Sequence, residues 1–346
     1  MLTREPEASP AVRAARTGGL DGTIGAMIDA RPPAIFLMGP TASGKTALAL
    51  AWAERYGLDI VSVDSALVYR GLDVGSAKPD RATLARYPHR LVDICDPEDA
   101  YSAAQFRADA LREIDAIVRA GRVPLLVGGT GLYFRALGQG LSALPAANAD
   151  TRAALEDEAR TAGWGAMHAR LAALDPEAAR RIHPNDPQRV QRALEVVALT
   201  GRALSAQQTA PLVRPPVRVL KLALVPGDRA VLHERIAERF RAMVDAGLVE
   251  EVRTLRARPA LTAEHPSMRA VGYRQAWQHL DGAFDRDELV ARGIHATRQL
   301  AKRQLTWLRA DYDAIAFDPS DVPRRDRIDH LLAYFVAKKG SEEFSV

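Results

Sequence analysis

With 346 residues, 47% hydrophobic and 26% charged, the chain has an ordinary globular composition and enough length for one large domain with an insertion, or for two domains. A formal net charge of +4 suits a polyanionic partner without demanding one. The single Cys95 excludes an intramolecular disulfide framework and a cysteine-rich zinc site, and no apolar run approaches the roughly 18 residues a membrane span needs, so a cytoplasmic protein making no use of a membrane is expected.

Residues 1–33 mix Arg, Ala, Gly and Pro with Glu5, Glu7, Asp21 and Asp29 and fit neither a secretory signal nor an acid-poor transit peptide; they read as a loose tail. "AIFLM" then gives an apolar strand, followed by a Gly-containing turn and a helical pattern that ends at Gly57. "LDIVSVDS" is a second buried strand with Asp64 at its carboxyl end, and after the amphipathic helix "SAAQFRADALREIDAIVRAG" the stretch "VPLLVGGTGLY" opens with a third. Strands alternating with helices predict an α/β fold, a P-loop NTPase-like parallel sheet flanked by helices. Ligands of such sheets collect at the strands' carboxyl ends, so Gly39–Thr46, Asp64 and Gly128–Thr130 should converge on one crevice. From about Leu141 the strand signal stops and Pro176, Pro184 and Pro187 break the chain into short helices, predicting an inserted all-helical domain over 141–212. "VLKLALV" resumes the sheet, and helices follow through "DRAVLHERIAERFRAMVDAG" and 286–309, so the core spans 34–140 plus 213–330 and leaves 331–346 as a C-terminal tail.

"GPTASGKT", comprising Gly39, Pro40, Thr41, Ala42, Ser43, Gly44, Lys45 and Thr46, matches the phosphate-loop pattern. Its glycines let backbone N–H groups aim at phosphate oxygens, and the following helix adds the positive end of its dipole. Lys45 is a point charge for terminal phosphates, and the Thr46 hydroxyl suits a Mg²⁺ shared with them. A kinase or ATPase would also place a carboxylate at the end of a neighbouring strand. The third strand ends instead in Gly128-Gly129-Thr130. Asp64 is the one strand-end carboxylate facing the loop, and on residue type alone it is a metal organiser, a base or the cap of a helix begun at Ser65.

Three segments carry the basic residues. "NDPQRVQRALEVVALTG" begins with Asp186 as N-cap, buries Val190, Leu194 and Val197, and leaves Gln188, Arg189, Gln191 and Arg192 as an exposed, donor-rich end. "SMRAVGYRQAW" sets Arg269 and Arg274 around Gly272 and Tyr273. "IHATRQLAKRQLTWLRA" places Ile294, Ala301, Leu305 and Leu308 on a packing face and Arg298, Lys302 and Arg309 on a cationic one, with Trp307 reading as core. Arg and Gln grip phosphates and base edges, and aromatic rings stack on unpaired bases, so the three together point to nucleic acid. His183 and His295 have no metal-ligand spacing.

These blocks, with "VSVDSALVYRGLDVGSAKP" and "LLVGGTGLYFRAL", resemble the bacterial tRNA dimethylallyltransferase family, also called tRNA isopentenyl-diphosphate transferases, in family order from about Ala34 to Arg309. The resemblance implies transfer of a dimethylallyl group from dimethylallyl diphosphate to N6 of adenosine 37 of tRNA, with Mg²⁺. It implies that the loop holds a leaving group, with Thr41 reaching the bridging oxygen, Lys45 binding the diphosphate and Asp64 taking the proton. It further implies tRNA contacts from Asp64, Ser65, Ala66 and Leu67, from Thr130 and Arg152, and from Gln188, Arg189, Val190, Gln191 and Arg192. Arg269, Ala270, Val271, Gly272, Tyr273 and Arg274 would add to these, as would Lys302, Arg303, Gln304, Leu305, Thr306, Trp307, Leu308 and Arg309. The helical insertion would clasp the anticodon stem-loop. Ala270 stands where many relatives have Cys, and the aspartate-rich motifs of helical prenyltransferases are absent. A small-molecule P-loop kinase, an RNA-binding nucleotide sensor and a prenyltransferase for free adenine nucleotides are the competing readings; a monomer is expected, since no coiled-coil pattern demands a partner.

Overall fold

The computed structural model describes residues 29–208 and 214–337. The core begins with β1 (Pro33–Met38), the phosphate loop and α1 (Lys45–Tyr56), then β2 (Leu58–Val63), α2 (Arg81–Arg86) and the two-residue β3 (His89–Arg90). It continues through α3 (Ala103–Arg119), β4 (Val123–Gly128) and α4 (Gly131–Gln139). Five helices without strands follow: α5 (Ala149–Ala162), α6 (Trp164–Leu174), α7 (Pro176–Arg181), α8 (Pro187–Thr200) and α9 (Leu204–Gln207). The sheet resumes with β5 (Arg218–Leu224) and is followed by α10 (Arg229–Asp245), α11 (Leu248–Arg256), α12 (Tyr273–Leu280), α13 (Arg286–Arg309), β6 (Ile315–Phe317) and α14 (Val322–Ala337).

All sheet pairings are parallel, in the order β3-β2-β4-β1-β5-β6. Every residue of β1 is buried, which explains why "AIFLM" is apolar without alternation: helices cover both faces of the sheet. On one face Phe36 and Met38 pack with Phe106, Ile114 and Phe134 from α3 and α4; on the other Ile35 and Leu37 pack with Trp52 of α1 and Leu332 of α14. The register creates the site. Gly128 pairs with both Met38 and Val63, so the next residues of β1, β4 and β2, namely Gly39, Gly129 and Asp64, leave the sheet side by side.

The remaining helices make three further clusters, the smallest joining Leu232 and Ile236 of α10 to Ala301 and Leu305 of α13. Of the other two, one joins α10 to α13 around Phe240, Leu248, Met268 and Tyr273; the second is confined to the segment from Leu144 to Leu204, around Leu171, Val190, Leu194 and Val196. Asp186 caps α8 by accepting from the Arg189 amide, as the sequence predicts. The buried arc of α8 takes Val196 rather than Val197, because the helix packs against α5, α6 and α9 together and its inner face turns toward Ala193.

The tail assignments need correction where the chain is described. Arg31 donates to the Pro215 carbonyl at 3.0 Å and the first strand starts at Pro33, so the packed core reaches back past Ala34; residues 1–28 lie outside the described residues. At the other end, 331–337 is not a tail. Ile328 and Leu332 are buried against α1, and Asp329 accepts from Trp52 Nε1 at 2.8 Å, so α14 is part of the sheet's cover. The strands β3 and β6 escaped the sequence reading because two or three residues are too few to show a period.

Candidate active site

Between β1 and α1 the backbone turns through two left-handed residues, Ala42 (φ 61°) and Gly44 (φ 90°), the second being the N-cap of α1. Left-handed backbone costs a non-glycine residue energy, and its use at Ala42 is how the loop curls tightly enough to present amides inward. Lys45 Nζ donates to the Pro40 carbonyl at 2.7 Å and so folds across the loop it belongs to.

The loop floors a cavity of about 630 Å³ whose walls include Lys45, Asp64, Thr130, Arg239, Arg269 and Trp307. A second opening, beside Gly44 and Arg235, shares Ala42, Lys45, Thr46 and Arg239 with it, so the phosphate seat is open on two sides. Burial lowers the Lys45 ammonium to about 8, the Asp64 carboxylate works against that fall, and the Arg239 cation adds to it. Burial also pulls the Arg239 guanidinium below its usual range, again opposed by Asp64. Two desolvated cations facing one carboxylate leave the seat with net positive charge, which an anion such as a diphosphate would neutralise. Arg239 was missed by the sequence reading. Its signal was an arginine seven residues after Leu232 and three after Ile236, on the buried face of an amphipathic helix.

Asp64 is held by its own turn: Oδ1 accepts from the Ala66 amide at 2.8 Å and the Leu67 amide at 3.4 Å. The chain after Ser65 forms a turn rather than the helix considered from sequence. Thr130 is the N-cap residue of α4, and its Oγ1 accepts from the Ser65 amide at 3.1 Å, so the Asp64 turn is tied to the β4 loop.

The predicted RNA-facing residues divide. Ser65, Ala66, Leu67, Thr130, Arg269, Ala270, Val271, Arg303, Gln304 and Trp307 line the cavity. Trp307 is also half-buried and stacked on Phe134 at 6.0 Å, so it packs on the core and forms wall at once. Arg274, Lys302, Thr306 and Arg309 are exposed, as are Gln188 and Arg189 on α8. Five of the predicted residues are buried. Val190, Leu305 and Leu308 are side chains of the apolar clusters, Gly272 is buried beside Phe240, and Tyr273 is fully buried with its hydroxyl donating to Glu251 at 2.5 Å. An amphipathic helix puts part of any contiguous motif inside. Arg298 likewise is half-buried and reaches toward the His233 carbonyl, off the cationic face.

Gln191 and Arg192 also differ from the donor-rich exposed end expected, and Arg152 shares the partner of Arg192. Arg152 Nε and Arg192 Nη1 donate to the fully buried Glu195 at 2.9 and 2.7 Å, the Asn148 amide donates to the same carboxylate, and Gln191 bonds the Arg152 carbonyl and Glu156. Glu195→Ala should therefore destabilise the protein by about 2 kcal/mol, less than loss of a wholly buried pair because both guanidiniums reach solvent. Denaturant unfolding of the variant measures it.

An oxygen-donor cation fits the loop. The Thr46 hydroxyl lines the cavity with Ser62, whose buried Oγ has no hydrogen-bond partner among the described residues. No cluster of three His, Cys, Asp or Glu side chains suited to a metal occurs among the described residues. Such a donor set suits a magnesium ion that completes its shell with phosphate oxygens and water.

A phosphate loop on a parallel sheet, with a net-positive seat and a single carboxylate at the end of the strand one place beyond its neighbour, defines a P-loop-fold enzyme that handles a phosphorylated substrate. The chain belongs to the IPP transferase family, whose model matches residues 67–311; an Isopentenyl transferase model matches 33–92. Curated relatives include the tRNA dimethylallyltransferase of Thiobacillus denitrificans, 61% identical over 83% of this chain and 92% of the relative. That of Nitrosococcus oceani is 58% identical over 84% and 93%. Among solved structures, the tRNA isopentenylpyrophosphate transferase of Bacillus halodurans is 34% identical with a TM-score of 0.63, covering 89% of this chain and 98% of that one. A Staphylococcus epidermidis tRNA delta(2)-isopentenylpyrophosphate transferase is 30% identical with a TM-score of 0.62, covering 90% and 100%.

Proposed function

We propose that the chain transfers a dimethylallyl group from dimethylallyl diphosphate to N6 of adenosine 37 of tRNA and releases diphosphate, with Asp64 as general base. The transfer is the reaction of the family; the residue roles are inferred from the cavity. The observation that carries them is the shared cavity of Lys45 after β1, Asp64 after β2 and Arg239 on α10, at the carboxyl edge of the sheet. The N6 lone pair attacks the allylic carbon, the carbon–oxygen bond breaks with its electron pair leaving on the diphosphate, and the N6 proton passes to Asp64. Charge builds on the bridging oxygen as that bond opens, so Lys45, Arg239, the loop amides and the Thr41 hydroxyl favour the transition state over the ground state. Bound magnesium, held through Thr46, would neutralise part of the leaving group's charge. The kinase reading has less support, because β4, the neighbour of β1 that should carry a metal-organising carboxylate, ends in glycine.

On this reading the anticodon loop enters from the side of Arg269 and Arg303 with its target base out of the stack, which costs least for a base that is already unpaired. The helices α5–α9 would clasp the stem through Gln188 and Arg189. Arg189→Ala should weaken tRNA binding and reduce the slope of log affinity against log salt by about one, the effect of a single lost phosphate contact. Filter binding across a salt series checks this, and an unchanged slope would leave α8 a solvated face. The reaction itself is tested by incubating protein, Mg²⁺ and unmodified tRNA with dimethylallyl diphosphate or with ATP, then weighing the digested nucleosides. An adenosine heavier by one dimethylallyl group, seen only with the prenyl donor, is expected; ATP consumption without it would restore the kinase.

A further inference from the structure

The resemblance places Gln304 among RNA contacts; its half-buried side chain lines the cavity, and both ends of its amide are bonded within the protein. Oε1 accepts from the Thr41 amide at 2.9 Å, and Nε2 donates to the Gly129 carbonyl at 3.0 Å. Only one orientation of the amide satisfies both partners, since an N–H needs an acceptor and a carbonyl needs a donor, so the two bonds fix the group without ambiguity. Gly129 leaves the room: a Cβ there would collide with Gln304 Nε2 and press on the Gly39 carbonyl. Two residues on, a Cβ at Gly131 would meet the Trp307 indole at 2.5 Å. Glycines two apart in the β4–α4 loop thus seat side chains three apart on α13, the spacing that puts residues on one helical face.

We infer that Gln304 is a positioning residue: its amide clips the diphosphate loop to the β4–α4 loop. The inference rests on the proposed use of the loop. The Thr41 amide is spent on Gln304 rather than on phosphate, which fixes the loop at the residue whose hydroxyl is assigned to the bridging oxygen. Gly129 directly precedes Thr130, which holds the Asp64 turn, so a single side chain sets the spacing between the leaving-group seat and the base. Its neighbours Lys302, Arg303 and Thr306 are exposed, whereas Gln304 is half-buried. Preorganisation of this kind fixes geometry without touching substrate.

The test is a double-mutant cycle read on ligand binding. Gln304→Ala, Gly129→Ala and the double variant are titrated with inorganic pyrophosphate and Mg²⁺ by calorimetry, and with unmodified tRNA across a salt series. Each single variant should weaken pyrophosphate binding by about tenfold, and the double variant should be no weaker than the worse single one, because both remove the same clip. Affinity for tRNA and its salt slope should stay at the wild-type values. Additive losses of pyrophosphate binding, unchanged pyrophosphate binding, or a fall in tRNA affinity with pyrophosphate binding intact would each overturn the inference. Gln304→Glu keeps the size and the acceptor for the Thr41 amide but removes the donor to Gly129; it replaces Gln304→Ala in the cycle if that variant does not fold, with the same expected outcome. A wild-type protein that shows this Gln304-dependent binding but adds no dimethylallyl group to tRNA would sink the proposed reaction and leave the clip standing.

Discussion

Asp64→Asn should lower the single-turnover rate of prenyl transfer by about 10²–10⁴, the usual worth of a positioned general base, while tRNA affinity stays within about threefold. Asparagine keeps an oxygen able to accept from the Ala66 and Leu67 amides, so the turn that aims residue 64 survives and only the proton acceptor is lost. Asp64→Ala removes the acceptor as well and should be no faster. The electrostatics supply a second readout of opposite sign. Asp64 opposes the depression of the Lys45 ammonium and offsets part of the charge of Lys45 and Arg239, so its neutralisation should tighten pyrophosphate binding while slowing transfer. A metal organiser behaves differently: its loss weakens diphosphate binding in the presence of Mg²⁺. Near-normal single-turnover rates in both variants would remove Asp64 from the chemistry.

The parts of this site that were legible in the sequence are those set by local backbone. A phosphate loop must sit between a strand and a helix, and a carboxylate at the end of a parallel strand must lie near it, so Gly39–Thr46 and Asp64 could be placed together from the chain alone. Side-chain burial within the helical motifs was less legible, because a motif records which residues occur together and not which face turns inward. Tyr273 sits in an arginine-rich block that suggests stacking on bases, yet its ring fills the α10–α13 cluster. Arg239 was hidden by the opposite effect: in "HERIAERFRAM" it is one of three arginines on a charged helix, and only packing against the loop sets it apart from its exposed neighbours Arg235 and Arg241. Gln304 and Glu195 depend on partners 263 and 43 residues away, at separations a pass along the chain does not span.

Above pH about 8, affinity for dimethylallyl diphosphate should fall as Lys45 loses its proton, and the inflection should vanish in Lys45→Met, whose affinity is low at every pH. The ligand's own phosphate ionisation, near pH 6, is complete below this window and does not produce the inflection. Lys45→Arg tests the charge alone, since a guanidinium stays protonated and should give a flat profile. The same group acts on stability with the reverse sign. Burial lowers Lys45 from 10.5 in the unfolded chain to about 8, so between these values the unfolded state binds more protons, and the stability of the ligand-free protein rises with pH through that window relative to Lys45→Met. Ligand stabilisation therefore shrinks over the pH range in which the ligand-free protein gains this contribution. Thermal unfolding with and without dimethylallyl diphosphate, at pH 7 and pH 9.5, separates the two terms. An unchanged ligand-induced shift in the wild-type protein would mean that Lys45 does not bind the diphosphate through its charge, leaving Arg239 and the loop amides to hold it.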